Sequence, residues 1–217
     1  MVAVKSLVAS VLFGLLLAPA AFADTYALRI DPEDQAWAAQ ALLRPGDFGH
    51  GWRGGAVPSE KPVGISCPDF DPKASDLVVT GQGSATFENA RAGVEVHVDS
   101  QVLESVAAVK TDFARVMQPP LTACLAYRLE KNTQIAEATA QPLRFPRIGS
   151  ATAAYRVHTT VRSHGKTYKY VRDYVFFSNG RLEFSLIVNA PARYRESLAP
   201  FEAEIARLLV KRGTKGE

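Results

Sequence analysis

The stretch ATAAYRVHTTVRSHGKTYKYVRDYVFFSNGRLEFSLIVN, residues 151–189, decides the fold. It reads as three alternating strands separated by two turn signals. Asn179-Gly180 is the stronger of the two, since both central residues of a type I′ hairpin turn need positive φ. His164-Gly165 is a weaker signal of the same kind. Two-residue loops at these places pair Ser163 with Lys166 and Ser178 with Arg181, which sets the side chains of each face. One face then carries Arg156, His158, Val171, Asp173, Val175, Phe177, Leu182, Phe184, Leu186 and Val188. The other carries Tyr155, Val157, Thr159, Val161, Tyr168, Tyr170, Arg172, Tyr174, Phe176 and Ile187. Both are largely apolar, so each needs a cover. The class this implies is α+β, a central antiparallel β-sheet flanked by helices on both faces.

Working outward from the meander, Phe201, Ile205, Leu208 and Leu209 give a final amphipathic helix that can cover one face. At the other end, Asp31-Pro32-Glu33-Asp34 supplies an N-cap, a proline at the first helical position and acids at the positive helix end. Trp37, Ala38, Ala41 and Leu42 share one side of that helix, and Pro45-Gly46 ends it. Residues 46–76 are rich in Gly, Pro and Asp and read as a long irregular segment. Leu77–Thr80 and Ala85–Glu88 read as short strands, and Val94 to Asp99 as a half-buried strand with its valines inward. Leu103, Val106, Val109, Phe113 and Met117 follow helical spacing. So do Leu121, Cys124, Leu125 and Leu129 after Pro119-Pro120. Ile135–Gln141 is a weak strand. No repeat, low-complexity tract or linker divides the chain.

The chain has 217 residues, 47% hydrophobic and 22% charged, with 15 Gly, 13 Pro and 2 Cys. That composition excludes a disordered chain, a collagen-like repeat and a disulfide-dense miniprotein. A net charge of +3 gives no nucleic-acid footprint. Lys5, the apolar run Leu7–Leu17 and Ala21-Phe22-Ala23 follow the layout of a cleaved secretory signal, with cleavage near Ala23-Asp24. The run is too short to span a bilayer, which takes about 20 residues. Residues 1–23 therefore read as a signal peptide and 24–217 as a single secreted, extracytoplasmic domain without a transmembrane segment. In an oxidising compartment Cys67 and Cys124 are expected to form one structural disulfide.

Candidates for chemistry are few. Glu95, His97 and Asp99 share one face of a strand and have the donor types of a metal site, yet the pattern suits a solvated strand face better. Asp69, Asp71 and Asp76 resemble the start of a calcium loop, broken at Pro72 and Lys73 and lacking its glycine. No metal and no cofactor is expected. Ser66 and Ser84 lie in Gly-containing loops with nothing to place a histidine beside either, and Gly81-Gln82-Gly83 is not a phosphate fingerprint. Asp173 stands opposite Arg156 in the expected register, as a cross-strand ion pair. The remaining candidate is a surface: Tyr155, Tyr170, Arg172 and Tyr174, with Trp52 and Arg53 from the Gly-rich segment, place aromatics around a cation. That combination suits a small amphipathic or anionic ligand.

Ala41-Leu42-Leu43-Arg44-Pro45-Gly46-Asp47-Phe48 with Gly51-Trp52, a cysteine in the next loop, the Val-rich strand into the 103–117 helix, a second cysteine, the Gly180 hairpin and the last helix occur in that order. Together they make residues 31–210 resemble the extracytoplasmic sensor domains of actinobacterial serine/threonine kinases and their stand-alone secreted relatives. The resemblance implies a helix-flanked antiparallel sheet with a ligand cleft. Such domains often carry two disulfides, whereas this chain has two cysteines; it also lacks a kinase domain. The expected function is an exported, bacterial, sensor-like protein of the envelope or extracellular space. It would act as a monomer that binds a small molecule or an envelope protein, without catalysis. A secreted envelope hydrolase is the alternative, and it requires a buried histidine with a carboxylate and a serine in reach.

Overall fold

The computed structural model describes residues 24–131, 134–163 and 165–214. The signal-peptide reading falls on residues outside these, as does His164 of the first hairpin turn. The described residues form eight strands and four α-helices in a mixed sheet of order β1-β3-β4-β8-β7-β6-β5, with β2 also on β3. The meander supplies β6 (Ala151–Ser163) and β7 (Lys166–Asn179), the two longest strands, and β8 (Leu182–Pro191). β8 pairs antiparallel with β4 (Val94–Leu103), and β4 with β3 (Val78–Asn89). The outer edge of β3 is shared by β1 (Ala27–Leu28), the one parallel partner, and β2 (Arg53–Val57). β5 (Ile135–Pro142) closes the opposite edge.

Ser163 pairs with Lys166, as the first hairpin signal requires. In the second hairpin the loop is Gly180-Arg181, not Asn179-Gly180: Asn179 pairs with Leu182. Gly180, at φ 59°, takes the first turn position, where a side chain is disfavoured. Moving the loop by one residue shifts each cross-strand partner by two, so the inward and outward sets survive the correction.

One face packs under α1 (Pro32–Ala41) and α4 (Arg195–Gly213). Its core joins Val96, Val98, Val171, Val175, Phe177, Phe184, Leu186 and Val188 to Trp37, Ala41, Ile205 and Leu209. α1 starts where its cap lies, with the Asp31 carboxylate accepting from the Glu33 and Asp34 amides. The helix lies so close to β3 that a Cβ on Gly81 would overlap the Asp34 carbonyl. Gly81-Gln82-Gly83 is therefore the seat of a helix. It carries a register shift in a strand that runs unbroken through the two short strands expected there.

The other face packs under α3 (Pro120–Glu130), where Leu121, Cys124, Leu125 and Leu129 meet Ala138, Val157 and Phe70. α2 (Val106–Val116) lies beside it; Leu103, read as its first turn, instead ends β4. The Cys67–Cys124 bond, Cα–Cα 5.8 Å, fastens the 58–76 segment to α3. That segment and the residues before it are less irregular than expected. β2 lies within, hidden in the sequence by Gly54-Gly55.

Candidate ligand-binding groove

On the α2/α3 side, β3, β4 and β8 leave part of the sheet uncovered. The register sets Gln82, Ser84 and Thr86 of β3 beside Gln101, Asp99 and His97 of β4. Those in turn pair with Glu183, Ser185 and Ile187 of β8. Side chains two apart share a face, so a polar strip crosses three strands. A pocket of about 180 Å³ opens at its inner end, lined by Tyr26, Ile65, Asp112, Phe113, Val116, Met117, Phe176 and Glu183 among others. A wider depression of about 500 Å³ adjoins it through Val63, Asp99 and Gln101, and reaches His97, Glu60, Lys61 and Arg128. Together they make one groove running from α2 toward α3.

The inner end concentrates unusual chemistry. Tyr26 donates to both Asp112 oxygens at 2.9 Å. Glu183 lies against Asp112, yet its Oε1 is shielded from solvent and has no hydrogen-bond partner. Two carboxyls in contact cannot both be charged, so the pair shares a proton. Burial, then the Asp112 charge, hold Glu183 well above the usual carboxylate range. Burial raises Asp112 as well, against the bonds it accepts from Glu183 and Tyr26. Burial and the two acids raise the Tyr26 phenol, which stays a donor at any physiological pH.

Further out, Ser84 donates to Asp99 at 2.6 Å, and Asp99 bonds His97 Nε2 at 3.0 Å. Thr86 Oγ1 meets His97 Nδ1, also at 3.0 Å. The Asp99 bond raises the His97 pKa, ahead of the opposing effect of burial. Ser84, placed in a loop by its glycines, is a strand residue. Among the described residues no group of three or more His, Cys, Asp or Glu is placed to hold a metal. Asp76 instead forks onto Arg115.

The aromatic surface expected from the sequence is divided by the fold. Trp52 stacks on Phe48 and Phe201 on the α4 side, far from the tyrosines, and Arg53 pairs with Glu88 at 2.6 Å. Tyr155 and Tyr174 are half-buried behind the groove, where they pack on Phe176; the Tyr155 hydroxyl also touches Met117. Tyr170 and Arg172 line a separate depression of about 310 Å³, where Arg172 bonds Asn189. The sequence reading missed Tyr26, Asp112 and Glu183. Two signals were present: Asp112 interrupts the apolar stripe of α2 between Val109 and Val116, and Glu183 shares a strand face with Ile187.

No family model matches the chain, and no curated protein matches it significantly.

Proposed function

We propose that this chain is an exported, sensor-like ligand-binding protein of the cell envelope or extracellular space, acting without catalysis through the groove between α2 and α3. The observation that carries the reading is the Glu183–Asp112 pair at the inner end of a pocket, Asp112 buried and Glu183 half-buried with its Oε1 shielded and unpartnered. Buried polar groups are normally satisfied, and one that is not, where it borders a pocket, is a place where a ligand can supply the missing bond. The secretory pattern of residues 1–23 supports export. So does a formed disulfide, since such bonds persist in oxidising compartments. No helix among the described residues is long and apolar enough to cross a membrane. A helix-flanked sheet with a cleft also agrees with the resemblance to extracytoplasmic kinase sensor domains.

A thermal-shift screen of the purified protein against small amines, carboxylates, envelope sugars and lipids tests this. A compound that raises the melting midpoint with the logarithm of its concentration supports the reading. A flat screen over a normal melting transition moves it toward a protein partner on the same face.

One arrangement favours the hydrolase reading. Thr86, His97 and Asp99 form a hydroxyl–imidazole–carboxylate chain. Ser84, the better nucleophile, donates to the carboxylate and not to the imidazole. The backbone on either side of Thr86 pairs in the β2–β3–β4 ladders, which leaves few amides to hold an oxyanion. Ester turnover abolished by His97→Ala would establish that reading.

A further inference from the structure

We propose that the inner end of the groove binds a small organic cation, an ammonium or guanidinium group on a short apolar body, with Glu183 and Asp112 as its counter-charges. The inference rests on the ligand-binding reading and deepens it by naming the ligand's chemistry.

Geometry supplies the first support. Glu183 of β8 and Asp112 of α2 line the same pocket in contact with each other, and Glu183 Oε1 is shielded without a partner. Charge supplies the second. Asp99 of β4 joins them at the pocket wall, while among the described residues no lysine or arginine pairs with Asp112 or Glu183. Arg115, three residues along α2, is turned away to Asp76 at 2.6 and 3.0 Å and to the Lys73 carbonyl. The remaining wall supplies the third: Ile65, Phe113, Val116, Met117 and Phe176 offer hydrocarbon and aromatic surface. A volume of about 180 Å³ holds roughly six water-sized groups at ~30 Å³ each, the size of a hexyl chain or a phenyl ring.

By itself the acid pair keeps one proton, on Glu183. An ammonium group entering the pocket brings its own positive charge and N–H donors, so the proton leaves Glu183 for solvent and the carboxylate accepts from the ligand. Site and ligand together keep the net charge the acid pair had alone. The groups facing this exchange are Tyr26 ahead of β1, Asp112 and Arg115 on α2, Asp99 on β4 with its partner His97, and Glu183 itself. Tyr26 keeps its proton throughout, donating to Asp112. Affinity consequently falls as the medium is acidified, by up to about tenfold per pH unit.

Calorimetric titration of the purified protein tests this with 2-phenylethylammonium and hexylammonium, set against hexan-1-ol and hexanoate. Runs at pH 7 in two buffers of different ionisation enthalpy read the proton balance. The expected result is ammonium binding with release of about one proton per ligand, and alcohol and carboxylate binding at least roughly tenfold weaker. Glu183→Gln should lose the same factor and the proton release while melting no lower than the parent. Glu95→Gln, outside the pocket, should bind as the parent does. Equal or tighter binding of hexanol or hexanoate in the pocket would overturn the cation assignment and leave the groove reading standing. Undiminished ammonium binding by Glu183→Gln would overturn the site. If none of the series binds, the proposal fails, and the broader thermal-shift screen then decides whether the groove reading fails with it.

Discussion

Glu202 of α4 lies against Asp173 of β7 inside the molecule, fully buried, and neither of its carboxyl oxygens meets a donor group. Contact between two carboxyls without a donor requires a proton. Burial, then the Asp173 charge, push Glu202 up to about 9, against the pull of Arg156. The molecule thus carries an acid pair on each face of its sheet. The one under α4 is closed by Arg156, which donates from Nε to Asp173 at 2.6 Å and from Nη1 to the Arg195 carbonyl at 2.7 Å. The one beside α2 has no arginine or lysine bonded to it among the described residues; Arg115 acts on Asp112 only through its charge, its guanidinium being bonded to Asp76.

Glu202 should therefore make the protein less stable as pH rises. An unfolded glutamate ionises near 4.5 and the folded one near 9, so between these values the native state holds more protons than the unfolded state. Stability then falls across that window. Glu202→Gln, whose amide can donate to Asp173, removes the slope. The variant should be more stable at pH 7 by an amount of order 2–3 kcal/mol, roughly 5–10 °C in melting midpoint, and no different near pH 4. Melting curves from pH 4 to 9 check this, and an offset that does not vary with pH would refute it.

Arg156→Met should cost about 3–5 kcal/mol, because it leaves Asp173 buried beside Glu202 without a counter-charge. Adding Asp173→Asn should recover a large part of the loss. Urea unfolding of both variants measures this, and a loss under about 1 kcal/mol for the single change would mean the pair is dispensable.

His97 should titrate above the ordinary histidine range, since Asp99 bonds its Nε2. A folded pKa raised in this way contributes stability that is full below pH 6.5 and is lost as pH climbs through the folded value. Asp99→Asn should move the imidazole midpoint downward in an NMR titration. A midpoint unmoved by that change would show that the contact is not made in solution.

The Cys67–Cys124 bond closes a sequence separation of 57 residues. The chain-entropy argument values such a loop at about 4 kcal/mol, so Cys67→Ser should lower the melting midpoint by roughly 10 °C. Reductant should lower the parent toward the same value. If neither treatment moves the midpoint, the bond does not hold the 58–76 segment to α3.

Much of the fold was legible because its signals are local. The alternation of residues 151–189, the Asp31-Pro32 cap and the Leu121/Cys124/Leu125/Leu129 stripe each state their element within a few residues. The Arg156–Asp173 pair followed from register alone and stands as expected. Failures came where tertiary contact overrides local pattern. Gly81 and Gly83 read as a break between strands and instead make room for α1. Gly54-Gly55 read as loop and pair with β3. The site was least legible. Tyr170 and Arg172 do share a depression, but Trp52 packs on the opposite face, since nothing in a strand pattern says which face a distant loop will cover. Asp112 and Glu183 are 71 positions apart in the numbering and meet only through the pairing of β4 with β8 and the seat of α2.

Ligand is proposed to enter the groove between α2 and α3. Amide chemical-shift mapping, with the strongest stabilising compound from the thermal-shift screen, tests it most directly. Perturbations are expected at Tyr26, Gln101, Asp112, Met117 and Glu183, spreading to His97 and Asp99 for larger ligands. Perturbations confined to Tyr170 and Arg172, or to Trp52 and Arg53, with the groove residues unmoved, would contradict it.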